Sequence, residues 1–382
     1  MNVLILTSWS SRRDRPYLGV YFIEQAKAIS KYVMNIVLID IRIIPINEIN
    51  CKTVGRIVQR KENGIVIYSI DFPSIGFGRI PFLYQNLYNI LFYFLYLKVK
   101  KIYKIDLVHA HSFYPAGAAA VFWSRYTGIP IIYTEHASSV LSRSISEKLT
   151  DRLKQVHAIS KSTLCVSKAL GQSIKYLTGS DKPIIVISNG IDDAFFKGIT
   201  NPQFSTINFI SVGNLVAIKR YDLLIEAFGK VVSKYPNVSL RILGEGGERK
   251  KLEEVIIEKK LEEYVKLMGA KTRIEVLSEL RESDVFVLSS DYETNNVACL
   301  EALAVGLPVI STKSGGPEDY ISESNGVLVD KGDANELSGA MLRMIRDYKN
   351  YSANSIREYT YNHYSYPAIA RQIVHIYSNA IK

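Results

Sequence analysis

Cysteine is scarce in this sequence: Cys51, Cys165 and Cys299 are the three in 382 residues, and they lie far apart. No CxxC pair occurs, so neither a disulfide framework nor a cysteine-based zinc site is supported. No Asp-x-Asp pair stands in a context suited to metal binding. We therefore predict a protein without a metal that works in a reducing, cytoplasmic setting.

Long hydrophobic runs are also missing. The longest in the segment from Arg79 to Lys104 is Ile90 to Leu97, far short of the roughly 20 apolar residues that a membrane span needs. Lysines 98, 100, 101 and 104 at one end suit a helix that lies among lipid headgroups. The alternative is an ordinary buried helix ended by solvated lysines. At the N-terminus, "VLILTSW" precedes the first charges, which predicts a buried strand and not a signal peptide.

Acidic residues are few in the first half. Residues 1–200 carry 25 Lys and Arg against 13 Asp and Glu, whereas residues 201–382 carry 22 against 24. This asymmetry suggests that the first half meets an anionic membrane surface, unless it is simply a solvated, lysine-rich surface. The basic residues are scattered and no helix-turn-helix or RNP-like motif accompanies them, so we predict no nucleic acid partner.

What the sequence has is a repeated strand-helix alternation. Apolar, β-branched runs such as "NIVLIDIRII" and "INFISVGNL" alternate with helix-length segments, which indicates parallel sheets covered on both faces. The series restarts near Ile207, after the polar "KGITNPQFST". We predict an α/β protein of two doubly wound, Rossmann-like domains facing each other across a cleft, residues 1–200 and 201–365. A C-terminal helix, 366–382, is expected to return to the first domain.

The stretch "DYETNNVACLEALAVGLPVI" contains two glutamates, Glu293 and Glu301, with seven residues between them. "DYETNN" follows the predicted strand "VFVLSS", so it lies where ligands bind in open α/β sheets. Asn295 or Asn296 can cap the following helix, whose N-terminal N–H groups favour a phosphate. A carboxylate on either side of a bound phosphate suits a nucleoside diphosphate sugar, which has a hydroxyl-bearing ring at each end.

This E-x7-E pattern, followed by "ALAVGLPVI", resembles the signature of retaining glycosyltransferases of family 4, which have the two-domain GT-B fold. Other segments resemble the family in the same order along the chain: "PYLGVYFIEQAKAIS", "HAHSFYPAGAAA", "GIPIIYTEHAS", "SNGIDDAFF", "VGNLVAIKRYDLLIEAF", "RILGEGGE" and "SGGPEDYI". Each fragment is weak alone, but together they cover nearly the whole chain.

The resemblance implies roles for individual residues. Glu301 would hold the ribose hydroxyls and Glu293 would contact the donor hexose near its C3 hydroxyl. Lys219 would neutralise the departing diphosphate, and His136 would lie near the transferred sugar. Gly19 would let the first loop approach the diphosphate. Backbone amides that meet sugar hydroxyls and phosphate are implied for Thr294, Asn295, Asn296 and Val297.

Two positions depart from the family pattern. Asn214 stands where most relatives have an arginine, which binds phosphate bidentately and always carries charge. We hypothesise that the neighbouring Arg220 compensates. Asn295 and Asn296 stand where relatives often have Phe-Gly, and asparagine is one of the few residues besides glycine that tolerate positive φ. The loop is therefore expected to keep its shape, while donor choice can change.

We therefore expect a retaining, metal-independent hexosyltransferase of surface polysaccharide biosynthesis that needs no cofactor. Its donor is expected to be a UDP- or GDP-sugar, its acceptor a glycan, usually lipid-linked, and its place the cytoplasm or the inner membrane face. Two alternatives stay open: a GT-B epimerase acting at C2 of a nucleotide sugar, and a non-catalytic nucleotide-sugar-binding subunit. His109 and His111 are expected to be structural and His157 to lie on the surface.

Overall fold

The computed structural model describes residues 1–9, 19–44, 46, 54–74, 81–198 and 206–381. They form two compact units, residues 1–190 with 366–382, and residues 191–365. The boundary predicted at residues 200/201 lies outside the described part of the chain. Ile191 and Phe195 precede that boundary, but their side chains are buried in the hydrophobic core of the second unit.

The first unit contains an eight-stranded sheet, counted over the described residues. Its strands, in chain order, are β1 (Asn2–Thr7), β2 (Asn35–Ile44), β3 (Ile57–Glu62), β4 (Ile65–Pro73), β5 (Leu107–His111), β6 (Ile131–Glu135), β7 (Ser162–Cys165) and β8 (Ile184–Val186). Their order across the sheet is β3-β4-β2-β1-β5-β6-β7-β8. All neighbours are parallel except β3 and β4.

Helices cover this sheet on both faces. They are α1 (Val20–Ile29), α2 (Pro81–Val99), α3 (Ala118–Thr127), α4 (Ser138–Leu141), α5 (Glu147–Ile159) and α6 (Lys168–Thr178). A single wide turn, Phe113–Gly117, leads into α3. One core contains side chains from α2, α3, α5 and α6, and a second contains side chains from α1 and the C-terminal helix. Near-continuous apolar strands need this cover, because they are buried on both faces.

The second unit contains a six-stranded, fully parallel sheet in the order β11-β10-β9-β12-β13-β14, again within the described residues. Its strands are β9 (Ile207–Val212), β10 (Val238–Leu243), β11 (Val265–Gly269), β12 (Val285–Leu288), β13 (Val309–Thr312) and β14 (Gly326–Val329). Its helices are α7 (Tyr221–Val232), α8 (Arg249–Glu258), α9 (Arg273–Arg281), α10 (Val297–Val305), α11 (Ala334–Asp347) and α12 (Ala353–Tyr364). The predicted pair of Rossmann-like α/β domains is confirmed.

The last helix, α13 (Tyr366–Ala380), belongs to the first unit. Tyr366, Ile369, Ile373 and Tyr377 lie on one side of the helix, at the three- and four-residue spacing of an apolar helical stripe. They pack with α1 against the sheet. None of the described helices is long and apolar enough to cross a membrane.

The prediction that His157 lies on the surface was wrong. Its side chain is buried, and its Nδ1 is 2.8 Å from Thr163 Oγ1. Leu153, Val156 and His157 form the inward stripe of α5, at spacings of three and four residues. The prediction considered the histidine by itself, whereas the stripe that it shares with Leu153 and Val156 places it on the buried side of the helix.

Candidate functional site

The strand order of each sheet reverses at one point. In the second unit the reversal lies between β9 and β12, and in the first unit between β1 and β5. At such a point, adjacent loops leave the carboxyl ends of their strands in opposite directions and open a crevice that binds ligands in α/β proteins. The loops after β9 and β12 contain Lys219 and Glu293, and Gly19 and His111 lie near the corresponding ends in the first unit.

The loop after β9 passes very close to the loop after β10. Gly213 N–H donates to Leu243 O at 2.9 Å, and Leu215 N–H donates to Glu245 O at 2.9 Å. A Cβ on Gly244 would lie 1.9 Å from Gly213 O, nearer than any real contact. Gly244, at φ 144°, is therefore required by both space and backbone conformation.

The loop after β9 is also joined to the loop after β12. Asp291 N–H donates to Ile218 O at 2.9 Å, and Ser289 Oγ donates to Lys219 O at 2.8 Å. The side chains meet as well, because Lys219 Nζ lies 2.5 Å from Glu293 Oε1. The predicted cation and the predicted hexose-binding carboxylate thus face each other, although 74 positions separate them in the chain.

Glu293 is held by more than this ion pair. Ser290 Oγ donates to its Oε1 at 2.6 Å. Its backbone N–H donates to Ser314 O at 2.9 Å, and its carbonyl accepts from Gly316 N–H at 2.8 Å. The side chain of Glu293 is buried. The ammonium of Lys219 and the hydroxyl of Ser290 hold its carboxylate, and the two backbone hydrogen bonds hold its main chain. The loop after β13 therefore supports the loop that carries Glu293.

The same support extends to the asparagine pair. Tyr320 Oη donates to Asn295 O at 2.6 Å. Gly316 lies so close to Asn295 that an added Cβ would be 2.7 Å from its backbone nitrogen. "SGGPEDYI" was quoted only as a family resemblance, and the structure shows that it fixes the shape of the loop after β12.

Asn296 starts helix α10. Its φ is 59°, and its side-chain oxygen accepts from Cys299 N–H at 2.8 Å. Asn296 thus adopts the positive φ that asparagine tolerates, and the residue also caps the helix. First-turn N–H groups of a helix lack partners within the helix and face outward with its positive dipole end. The helix beginning at Val297 therefore offers a place for an anion.

Glu301 lies in the second turn of α10. Its side chain is largely buried, at 8% exposure, and its Oε1 is 3.3 Å from Arg273 Nη2. Burial raises the pKa of Glu301 to about 7, although Arg273 acts to lower it, and the charge of Asp192 raises it further. Arg273 was not predicted as a site residue. Only its position, directly after the capping residue Thr272 at the start of α9, is visible in the sequence.

Asn214 and Arg220 lie on the loop after β9. Asn214 is exposed. The guanidinium of Arg220 is engaged by two carboxylates, with Nε 3.2 Å from Asp222 and Nη1 3.5 Å from Asp291. The backbone of Arg220 has φ 50°, and the residue stands at the turn into α7. A phosphate would compete with these two carboxylates for Arg220, so its compensation for Asn214 stays a hypothesis.

In the first unit, Gly19 precedes α1 with φ 73°. Its carbonyl accepts from Phe22 N–H at 3.0 Å, which closes the first turn of the helix. The rings of Tyr21 and Phe22 lie 5.3 and 5.2 Å from the ring of His136. The structure thus brings the start of α1 beside His136. Residues 10–18, which lead into this turn, lie outside the described part.

His136 follows β6, and its Nε2 lies 3.1 Å from His111 Nδ1. Burial, with a smaller contribution from His109, lowers the pKa of His136 to about 3. The imidazole is therefore neutral near pH 7 and can donate or accept one hydrogen bond, but it does not act as a cation. Both ring nitrogens of His109 have partners, Tyr377 Oη at 2.7 Å and Thr134 Oγ1 at 2.8 Å, which is a structural role.

Glu135 orients this loop, a role that the sequence did not reveal. Its carboxylate is fully buried and accepts from the N–H groups of Phe113, His136 and Ala137 and from Ser112 Oγ, at 2.8–2.9 Å. Burial raises its pKa, while these donors act to lower it. The carboxylate ties the end of β5 to the end of β6, and so fixes the backbone on which His136 stands.

Two family models match adjacent parts of the chain. Residues 56–195 match "Glycosyltransferase Family 4", and residues 196–363 match "Glycosyl transferases group 1". A phosphatidylinositol N-acetylglucosaminyltransferase component from Arabidopsis thaliana is 27% identical over 73% of this chain. That alignment covers 63% of the Arabidopsis protein, and the next two relatives are covered to 66% and 46% of their length.

Solved structures resemble the chain along its whole length. Sucrose-phosphate synthase from Thermosynechococcus elongatus superposes with a TM-score of 0.77, at 18% identity and 99% coverage of both chains. Anabaena HepE in complex with UDP superposes with a TM-score of 0.73, at 17% identity, over 99% of this chain and 100% of that one. At these identities the likeness establishes the fold, which is GT-B.

Proposed function

We propose that this chain, whose residues 56–195 and 196–363 match two glycosyltransferase family models, transfers a hexosyl unit from a nucleotide diphosphate sugar to a glycan, with retention of configuration and without a metal. The observation that supports this most is the meeting of Lys219 and Glu293 beside the start of α10. These groups lie at the reversal point of one sheet and suit a nucleotide-sugar donor: the cation and the helix N-terminus suit its diphosphate, and the carboxylate suits its hydroxyls.

Breaking the bond between a sugar and a diphosphate leaves negative charge on the leaving group. In the proposed reaction, Lys219 and the N–H groups of Asn296 and Val297 stabilise that charge. One positioned donor or cation in a water-poor site is worth about 10²–10³ in kcat. In family 4 a diphosphate oxygen takes the proton of the acceptor hydroxyl, and on that resemblance no protein nucleophile is required. The family resemblance assigns His136, neutral near pH 7, to the neighbourhood of the transferred sugar.

In the free protein Lys219 is already paired with Glu293. We propose that the donor exchanges this pair for two others: the lysine with the diphosphate, and the carboxylate with hydroxyls of the hexose. After binding, the lysine again faces negative charge, and the carboxylate is stabilised by hydrogen bonds from the hydroxyls. Ser290 keeps its hydrogen bond to Glu293 throughout and so holds the carboxylate in place.

Glu301 is proposed to hold the ribose hydroxyls. An ionised carboxylate accepts strong hydrogen bonds from a diol. The donor class is proposed to be a UDP- or GDP-sugar, and the UDP bound in the HepE structure supports the first of these. A lipid-linked or lipid acceptor is supported by the name of the Arabidopsis relative, which refers to phosphatidylinositol. We propose surface polysaccharide or glycolipid synthesis as the setting.

A thermal-shift screen of UDP- and GDP-sugars tests donor binding. A ligand at a hundred times its dissociation constant should stabilise the protein by about 2.7 kcal/mol. The stabilising donor is then tested on three variants: Glu301→Ala, Glu293→Gln and, as a matched control, Glu263→Gln, an exposed glutamate of the same unit. We expect Glu301→Ala to lose the shift, and Glu293→Gln to keep most of it but lose turnover.

Turnover is measured with a panel of lipid-linked glycan acceptors, and the anomeric configuration of the product is read by NMR. Retention, and activity that persists in EDTA, are expected. Full activity of both Glu293→Gln and Glu301→Ala would contradict the site. Release of a C2 epimer from the donor alone would favour the epimerase, and donor binding without turnover on any acceptor would favour a non-catalytic role.

A further inference from the structure

Helix α2 has an apolar face on the outside as well as on the inside. Tyr88, Phe92, Leu95 and Val99 point into the core of the first unit. On the opposite side, Phe82, Ile90 and Phe94 are exposed to 65%, 53% and 54%. The alternative of an ordinary buried helix therefore accounts for one side of α2 only.

The outer face carries no charge for most of its length. From Pro81 to Leu97 the sequence contains no Asp, Glu, Lys or Arg. At about 1.5 Å per residue, this stretch runs for roughly 25 Å along the surface. A large exposed apolar patch marks a contact with a protein or a membrane.

Helix α3 extends the same surface. Trp123 stacks on Tyr93, with ring centroids 4.7 Å apart and planes 6° from parallel. Beyond Trp123, the rings of Phe122 and Tyr126 are exposed and lie 5.3 Å from each other. We name this surface the α2–α3 face and define it by Phe82, Ile90, Phe94, Phe122 and Tyr126.

Positive charge borders the α2–α3 face. Lysines 98, 100, 101 and 104 are exposed where α2 ends, and Arg125 is exposed on α3 between Phe122 and Tyr126. No acidic residue occurs from residue 81 to residue 105. Aromatic and aliphatic side chains beside a cluster of lysines are the combination that anionic bilayers bind: rings enter the headgroup region while ammonium groups meet lipid phosphates.

We propose that the α2–α3 face docks on the surface of an anionic phospholipid bilayer, without crossing it. The bordering charge favours this occupant over a second copy of the chain, because two such faces would bring two lysine clusters of the same sign together. The inference goes beyond the proposed reaction, since it concerns where the protein is held and not what it transfers. It also stands if the reaction is another one.

Co-sedimentation of the full chain with lipid vesicles tests this proposal. Vesicles of phosphatidylglycerol mixed with phosphatidylcholine are compared with vesicles of phosphatidylcholine alone. We expect binding to the anionic vesicles only, weakened as salt shortens the screening length from about 10 Å at 0.1 M to about 3 Å at 1 M. Absence of binding to the anionic vesicles would overturn the proposal.

Two variants separate the two contributions. Ile90→Gln with Phe94→Gln removes apolar contact at exposed positions, and replacement of lysines 98, 100, 101 and 104 by Gln removes the charge. At about 1 kcal/mol per lysine, the second change should weaken binding a hundredfold or more. The matched controls lie in the second unit: Ile257→Gln with Ile274→Gln, and lysines 250, 251, 259 and 260 replaced by Gln, all exposed.

We expect both α2–α3 variants to lose vesicle binding while the controls retain it. The thermal shift of both α2–α3 variants with the nucleotide sugar should equal that of the parent. An unchanged shift shows that the variants fold, and it separates loss of vesicle binding from any failure of the proposed function. Equal loss in the lysine control would mean binding by net charge alone, and equal loss in either control would refute a specific face. Light scattering that shows a dimer split by Ile90→Gln with Phe94→Gln would also refute it, in favour of a second copy.

Discussion

The raised pKa of Glu301 predicts that the free energy of unfolding depends on pH, and that removing the charge of this residue stabilises the fold but weakens donor binding. Burial raises this pKa from 4.5 to about 7 in the folded protein. Between these two values the folded state holds a proton that the unfolded state has lost, so stability must fall as pH rises through that window. Above about pH 7 the full cost of the buried charge remains, and below about pH 4.5 it is absent.

The magnitude follows from the size of the shift. The raised pKa of Glu301 corresponds to about 3 kcal/mol in total, of which about 2–3 kcal/mol develops between pH 5 and pH 8. Glu301→Gln has the shape of the protonated side chain and no charge. We therefore expect this variant to be more stable than the parent at pH 8, by more than it is at pH 5, while its affinity for the donor falls.

Differential scanning calorimetry of the full chain at both pH values measures this. For units of 150–250 residues, 1 kcal/mol moves the midpoint by about 2–4 °C. The midpoint difference between Glu301→Gln and the parent, for the unit of residues 191–365, should thus grow by about 5–10 °C from pH 5 to pH 8. Glu263→Gln controls for the removal of one negative charge. A midpoint difference for Glu301→Gln that does not change with pH would refute the reasoning.

Three further changes test the loop that supports the site. Asn296→Ala should cost about 2–3 kcal/mol, because it loses the cap and strains a positive φ, whereas Asn296→Gly should cost a few tenths; equal losses in urea unfolding would contradict this. Gly316→Ala should weaken donor binding by pushing against Asn295, whereas Gly247→Ala, with open space around it, should not; calorimetric titration decides. Arg220→Ala should weaken donor binding if Arg220 replaces the arginine missing at Asn214, and unchanged affinity would exclude that.

Much of this protein could be predicted from local patterns. The alternation of apolar runs with helix-length segments predicted two parallel α/β units, and the structure has both. Asn295 or Asn296 was predicted to cap one helix, and Asn296 caps α10. These features depend on neighbours within a few residues, because caps, turns and strand periodicity are short-range properties of the chain.

The ion pairs of the site are different. Lys219 and Glu293 were predicted to share a ligand, but their direct contact depends on β9 lying next to β12, which periodicity does not specify. Arg273 was missed because it reaches Glu301 from α9, in a segment with no recognisable motif. His157 was misplaced for a different reason, because the prediction did not use the buried stripe that it shares with Leu153 and Val156 on α5.

The sequence by itself determined the kind of elements, their order, and the residues that begin and end them, since each of these depends on short-range backbone and side-chain preferences. The tertiary structure alone decided which carboxylate meets which cation, and how far burial shifts the pKa of Glu301. It also decided that the outer side of α2 is exposed within the described part of the chain. These properties depend on distance and solvent access, and both are set only when strands from distant parts of the chain lie side by side.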